Sequence, residues 1–170
     1  MSSRSGAFLG SRTALRPSHA VAALLRLSDG RYLMQLRDSN PAIFYPDHWG
    51  CFGGAVDAGE TPVAAMVREL AEELAVTVAP ADLTRFTEFS FDFGFSGDGV
   101  MQRTYYAVTL PQVDLAGLVL GEGADFAAFE AETLLAKLRV VPYDAFALWM
   151  YHARGRIAAS ERMDVRQGGR

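Results

Sequence analysis

The chain predicts an α/β (α+β) domain in which a mixed β-sheet is sandwiched between α-helices. Three observations predict it. The patterns run strands, helix, strands, helices, an order that gives a mixed sheet flanked by helices. Two apolar runs meet at Asp29-Gly30, a strong hairpin turn signal. A single segment after Thr61-Pro62 changes to a repeat of about 3.6 residues. Half of the 170 residues are hydrophobic, enough for one domain with a core.

Residues 19–28 form the first apolar run and 31–37 return as a second strand. The stretch 38–50 (DSNPAIFYPDHWG) is rich in Pro, Asn and Asp and reads as a loop carrying Phe44, Tyr45 and Trp49. Cys51-Phe52 is a short apolar piece before Gly53-Gly54. Thr61 as N-cap with Pro62 at the first helical position starts a helix that runs to about Leu74. Val63, Val67, Leu70 and Leu74 form its apolar stripe, and Val76–Val78 is a candidate strand start. Phe86, Phe89, Phe91, Phe93 and Phe95 mark a strand-like region, a turn follows at 96–99, and 101–110 is the strand across it. A short strand is expected at 115–120, then helices at 129–138 and 142–154. The expected organisation is an N-terminal arm over 1–17, a folded domain over 18–155 and a loose tail over 156–170.

The formal net charge of −4 makes non-specific nucleic-acid binding a poor expectation. No segment reaches the length of a membrane span, and the N-terminus lacks the apolar core of a secretory signal. One cysteine, Cys51, builds neither an internal disulfide nor a zinc cluster, which fits a reduced cytoplasmic setting. A buried small side chain is its ordinary use.

The chemistry concentrates at 54–76, GAVDAGETPVAAMVRELAEELAV. Glu69, Glu72 and Glu73 crowd beside Arg68, after a glycine turn and a further acid, Glu60. At about 100° per residue the three carboxylates fall on one arc of roughly 100°, expected opposite the apolar stripe. A Glu-rich face is usually just solvated surface. So dense an oxygen patch also suits a hard divalent cation, which shares its shell with phosphates.

The spacing resembles the Nudix box. That motif runs Gly, five residues, Glu, seven residues, Arg-Glu, an aliphatic, any residue, Glu-Glu, any residue, Gly, aliphatic. Gly54, Glu60, Arg68-Glu69, Leu70, Glu72-Glu73 and Val76 match it. Ala75 stands where the family has Gly, at the helix end where a left-handed residue is wanted. The replacement is expected to cost about 1 kcal/mol or to shift the helix end. Phe52 stands where many members have Pro. The hydrophobic order of 19–154 is similar to a Nudix domain, so the resemblance implies a Nudix fold over 18–155.

The resemblance implies metal-dependent hydrolysis of a nucleoside diphosphate linked to another moiety, with water attacking phosphorus and Mg²⁺ or Mn²⁺ as cofactor. It implies Glu69, Glu72, Glu73 and the Gly53 carbonyl as metal ligands, with Glu69 alternatively the general base. Gly54 and Glu60 have structural roles in the box, and Arg68 pairs with Glu60 and orients the carboxylates. Glu122, after the 115–120 run, is the candidate base or ligand outside the box, though a solvated loop acid is an equal reading. Arg37 and Arg103 are candidate phosphate holders, against the ordinary surface ion pair. Tyr45 and Trp49 are candidate stacking residues, against ordinary packing. The expected partner is a small-molecule nucleotide-type diphosphate, with a homodimer left open and neither nucleic acid nor membrane.

The motifs of the NADH-hydrolysing, coenzyme A and mannosyl-hydrolase branches are absent, which leaves a MutT-like hydrolase of nucleoside triphosphates, nucleotide sugars or related diphosphates. Two alternatives stand beside it. One is a non-enzymatic Nudix-fold sensor of nucleotides, which would usually lose box acids. The other is an isopentenyl diphosphate isomerase-like enzyme, which would need an active-site cysteine such as Cys51.

Overall fold

Strand β1 (Ala20–Leu27) is apolar on both faces and lies inside the sheet. Val21, Ala23, Leu25 and Leu27 enter one core, and Ala22 and Leu24 enter another. The computed structural model describes residues 18–92, 94, 99–110 and 115–167, with side chains described as far as residue 156 apart from residue 116. The expected N-terminal arm, Phe93 and Phe95 lie outside the described residues.

The Asp29-Gly30 turn forms as the sequence predicts. Gly30 has φ +97°, and its N–H donates to the Leu27 carbonyl at 3.0 Å. Strand β2 (Tyr32–Leu36) then pairs antiparallel with β1. On its far side β2 pairs with the two-residue β3 (Trp49–Gly50) and with β6 (Asp125–Phe129), both antiparallel. The other edge of β1 pairs in parallel with β5 (Val100–Leu110), which carries β4 (Thr84–Asp92) antiparallel outside it.

Helix α1 (Pro62–Leu74) covers the first face through Ala65, Met66, Leu70 and Leu74. Helices α2 (Ala131–Lys137) and α3 (Pro142–Gln167) lie against the second, where Ala131, Leu134, Ala147 and Leu148 are buried. This is the expected sandwich. No helix among the described residues is long and apolar enough to cross a membrane.

Four local expectations need correction. Residues 115–120 are not a strand: Leu115–Gly117 is a 3₁₀ turn, and Leu115, Leu118 and Leu120 pack on the core from it. Val76–Val78 buries Val78 without joining the sheet. The expected helix at 129–138 begins only at Ala131, because Asp125–Phe129 is captured as a strand by β2. The backbone of α3 continues to Gln167, where a loose tail was expected beyond Gly155.

The segment after β3 is strapped along β1. Ala23 N–H donates to the Phe52 carbonyl at 2.8 Å, and Val21 N–H to the Gly54 carbonyl at 2.9 Å. This strap brings the glycine turn alongside α1.

Candidate active site

Helix α1 starts where the sequence places it. Thr61 is extended, and its hydroxyl oxygen accepts the Ala64 N–H at 3.2 Å. The helix ends at Leu74 because Ala75 itself takes the left-handed conformation, φ 55° and ψ 28°. The missing glycine therefore leaves the helix end in place, and Ala75 adopts a geometry that glycine would take without strain.

The rotation of α1 differs from the expectation. Glu69 is 9% exposed and Glu73 only 4%, so neither lies opposite the core. The buried residues Ala65, Met66, Glu69, Leu70, Glu73 and Leu74 span about 180° of the helix, with Glu73 near the middle. Val63 and Val67 sit at the margin, half-buried. The cause is the glycine turn, which offers polar partners at the edge of the apolar seam. Gly53 N–H donates to Glu73 Oε2 at 2.7 Å. Only Glu72 faces solvent, its side chain 62% exposed.

Gly53 is required sterically, and a side chain at Gly54 would displace the Glu69 carboxylate. Gly53 has φ +130°, and a Cβ there would lie 2.4 Å from the Val21 carbonyl oxygen. A Cβ on Gly54 would lie 2.6 Å from Glu69 Oε1. The turn thus touches β1 on one side and the Glu69 carboxylate on the other.

Arg68 sits at the head of the cluster. Its Nε and Nη2 grip Glu60 at 3.0 and 2.9 Å, a two-pronged pair. Nη2 also donates to the Ala55 carbonyl at 2.9 Å, while Nη1 reaches Glu69 at 2.8 Å and Glu72 at 3.2 Å. The hydrogen bonds from Arg68 hold the Glu60 carboxyl below its ordinary value, and those from Glu60, then Glu69, hold the guanidinium above its own. Arg68 and Glu60 are thus paired directly. Because Arg68 draws Glu69 and Glu72 to itself while Glu73 turns to Gly53, no three acidic, histidine or cysteine side chains among the described residues converge as a ready cation cage.

The electrostatics of the two buried acids still call for a cation. Burial, with Glu72 and Glu122 adding repulsion, raises the Glu69 carboxyl above its ordinary value against the pull of Arg68. Burial, with Glu69 and Glu122 adding repulsion, pushes Glu73 up to about 7 despite the bonds from Gly53 and Gln35. Two desolvated, mutually repelling carboxylates with hard oxygen donors at a backbone turn fit a divalent metal.

Glu122 is exposed on the loop that follows the 3₁₀ turn and lies close enough to raise both Glu69 and Glu73. The other candidates make contacts within the protein. Trp49 packs edge-on to Phe129 at 4.7 Å, and Tyr45 meets His48 and Tyr143 at 5.6 Å each. Arg37 Nε donates to the Phe44 carbonyl at 2.9 Å. Arg103 forms neither a surface pair nor an open phosphate holder. It pairs at 3.2 Å with Asp144, which is 1% exposed, in the core on the second face. Cys51 is buried there too, and burial, followed by the nearby Asp144, holds its thiol protonated well above the usual range. It is no accessible nucleophile, which removes the support for the isomerase alternative. Sequence reasoning missed Gln35, a lone amide in the apolar strand YLMQL, whose side chain reaches Glu73.

The family model for the NUDIX domain matches residues 16–158. The chain belongs to the Nudix family. Its box is the Gly54–Val76 segment just described. The Nudix hydrolase orf19 of Rhodococcus erythropolis, itself uncharacterised, is 38% identical over 79 residues, which is 44% of this chain and 43% of that protein. The chain therefore aligns with less than half of that curated relative. The MutT protein of Methanosarcina mazei shares the fold at TM-score 0.67 and 19% identity, over 84% of this chain and 98% of its own. The dihydroneopterin triphosphate pyrophosphohydrolase of E. coli does so at TM-score 0.62 and 21% identity, over 82% and 97%. At these identities the two structures establish likeness of fold.

Proposed function

We propose that this Nudix chain is a metal-dependent pyrophosphohydrolase acting on a nucleoside diphosphate linked to another moiety. The observation that carries the proposal is the pair of buried acids, Glu69 and Glu73, held against the Gly53-Gly54 turn with more negative charge than Arg68 neutralises. A sensor has no need of such a pair, and the box acids are all present.

Glu69, Glu73 and the Gly53 carbonyl are the residues that would hold Mg²⁺ or Mn²⁺, with Glu72 completing the set from the exposed side. The ion supplies charge neutralisation on the phosphates and a lowered pKa for water. The chain's own residues do the rest. The glycine turn lets phosphate approach the backbone closely. Arg68 fixes the Glu69 carboxylate, so the acid is oriented before substrate arrives. In hydrolysis the water oxygen bonds to phosphorus, the bridging P–O bond breaks, and the leaving phosphate takes the bridging oxygen. The proton released by water needs a carboxylate. Glu73 already accepts two hydrogen bonds. Glu69 Oε2 accepts none from the described residues, so Glu69 is one receiver and the loop acid Glu122 the other.

The test is phosphate release from nucleoside triphosphates, nucleotide sugars, ADP-ribose, dinucleoside polyphosphates and dihydroneopterin triphosphate, with and without Mg²⁺. At least one should turn over only with metal. Glu73→Gln should lower kcat by about 100-fold or more, roughly 3 kcal/mol of barrier. Tight binding of a nucleotide with no turnover across the panel would replace this reading with the sensor.

A further inference from the structure

Strand β2 is apolar but for one buried residue. Gln35 is 4% exposed, and an amide so placed must find partners within the protein. Its Nε2 donates to Glu73 Oε1 at 3.2 Å and to the Glu122 carbonyl at 2.9 Å. One amide nitrogen thus joins a buried acid of the box to the backbone of the loop that bears Glu122.

That loop is seated with little freedom. Gly121 N–H donates to the Glu73 carbonyl and Ala124 N–H to the Leu36 carbonyl, both at 2.8 Å. A Cβ on Gly121 would lie 2.0 Å from the Glu72 carbonyl oxygen. Gly123 has φ +91°, and a Cβ there would lie 2.8 Å from Gln35 Cγ. The loop is therefore threaded between the end of α1 and the Gln35 side chain, and glycine is demanded at both contacts.

We propose that Gln35 is a positioning residue that locks the Gly121–Gly123 loop to the Glu73 carboxylate and so holds Glu122 beside the Glu69–Glu73 pair. The proposal rests on the hydrolase reading of those acids. Glutamine suits the task chemically. A glutamate would add a fourth negative charge, an asparagine is one methylene shorter, and an apolar side chain would leave the Glu122 carbonyl without this donor.

The test uses Gln35→Met, close in volume and without the amide. In metal-free full-length protein, hydrogen exchange at the Gly121 and Ala124 amides should accelerate about tenfold or more, while the amides of mid-α1 keep their protection. In the metal-loaded enzyme, kcat should fall about tenfold or more with KM nearly unchanged, the pattern of lost positioning. Gly123→Ala, which strains the same contact from the loop side, should loosen the same amides and serves if Gln35→Met does not fold. Loop exchange equal to the parent in a folded variant overturns the proposal while leaving the hydrolase reading intact. Faster loop exchange in a chain that turns over nothing on the panel upholds the tie and removes the hydrolase reading.

Discussion

The two faces of the sheet each carry an ionic cluster, and the clusters are built to opposite rules. On the second face Asp144, in the first turn of α3, meets one arginine. Its Oδ1 accepts from Arg103 at 3.2 Å and from the Tyr105 hydroxyl at 2.7 Å, and its Oδ2 accepts the Cys51 N–H at 2.9 Å. Burial opposes the Arg103 charge, but Asp144 together with Tyr105, Tyr143 and Cys51 holds the guanidinium above its ordinary value. Charge is balanced and the donors are used within the protein. On the first face one guanidinium serves Glu60, Glu69 and Glu72, and Glu73 has none. There the buried carboxyls are raised rather than lowered. A balanced buried pair is a device of folding, and a buried excess of one sign is a device for a ligand of the other. The arginine count alone does not separate them; the partners of each arginine do.

The largest expected effect breaks the balanced cluster. Asp144→Ala removes the carboxylate paired with Arg103, which keeps the neutral Tyr105 hydroxyl as acceptor, and leaves the Tyr105 hydroxyl and the Cys51 N–H without the acceptor they use. Urea denaturation should show a loss of about 3–5 kcal/mol, the scale of breaking a buried pair from one side. Turnover by the folded fraction should stay near that of the parent. A collapse of turnover with stability intact would place Asp144 in the site and end the contrast between the faces.

The next effect comes from the unbalanced cluster and has a definite sign in pH. The folded value for Glu73, about 7, lies above the ordinary carboxyl value of 4.5. The folded protein keeps a proton that the unfolded chain gives up. Its contribution to stability is fully present below 4.5 and is lost as pH rises through about 7. In EDTA the parent should thus lose up to about 3 kcal/mol between pH 5 and 8 through this group. Glu73→Gln should remove that slope, so the difference between the two curves isolates it. A parent and variant with parallel curves would show that Glu73 is no more burdened by burial than a surface acid.

Much of this was legible because it is local. Thr61-Pro62 and the helical repeat mark α1, and both its ends lie where the sequence puts them. The acidic spacing identifies the box, and Asp29-Gly30 the hairpin. What was illegible depends on partners distant in sequence. Strand β6 is five residues, Asp125–Phe129, with no strong strand signature, and exists because β2 offers an edge. The rotation of α1 looked set by its valines, but Gly53, reached across 20 residues, draws Glu73 inward. Asp144 reads locally as an acid at a helix start. Its bonds to Tyr105 and Cys51 span 39 and 93 residues. Gln35 had a local signal, one polar residue in an apolar strand, but its partner Glu73 lies 38 residues on.

The smallest effect asks whether the acidic helix is tuned for stability at all. Ala75 adopts φ 55°, a geometry that costs a side-chain-bearing residue about 1 kcal/mol or more and glycine almost nothing. Glycine also loses more freedom on folding, which offsets part of the gain. Ala75→Gly should therefore raise stability by about 0.5–1 kcal/mol, measured by urea denaturation. Ala75 is exposed, and its N–H bonds back to Ala71 within the helix at 3.1 Å. Nothing in that cap touches the carboxylates, so kcat and KM should not change. A stabilised variant with lowered kcat would mean that the strain at the helix end helps to set Glu73, two residues before it, and the site would then extend beyond its charges into the backbone that ends the helix.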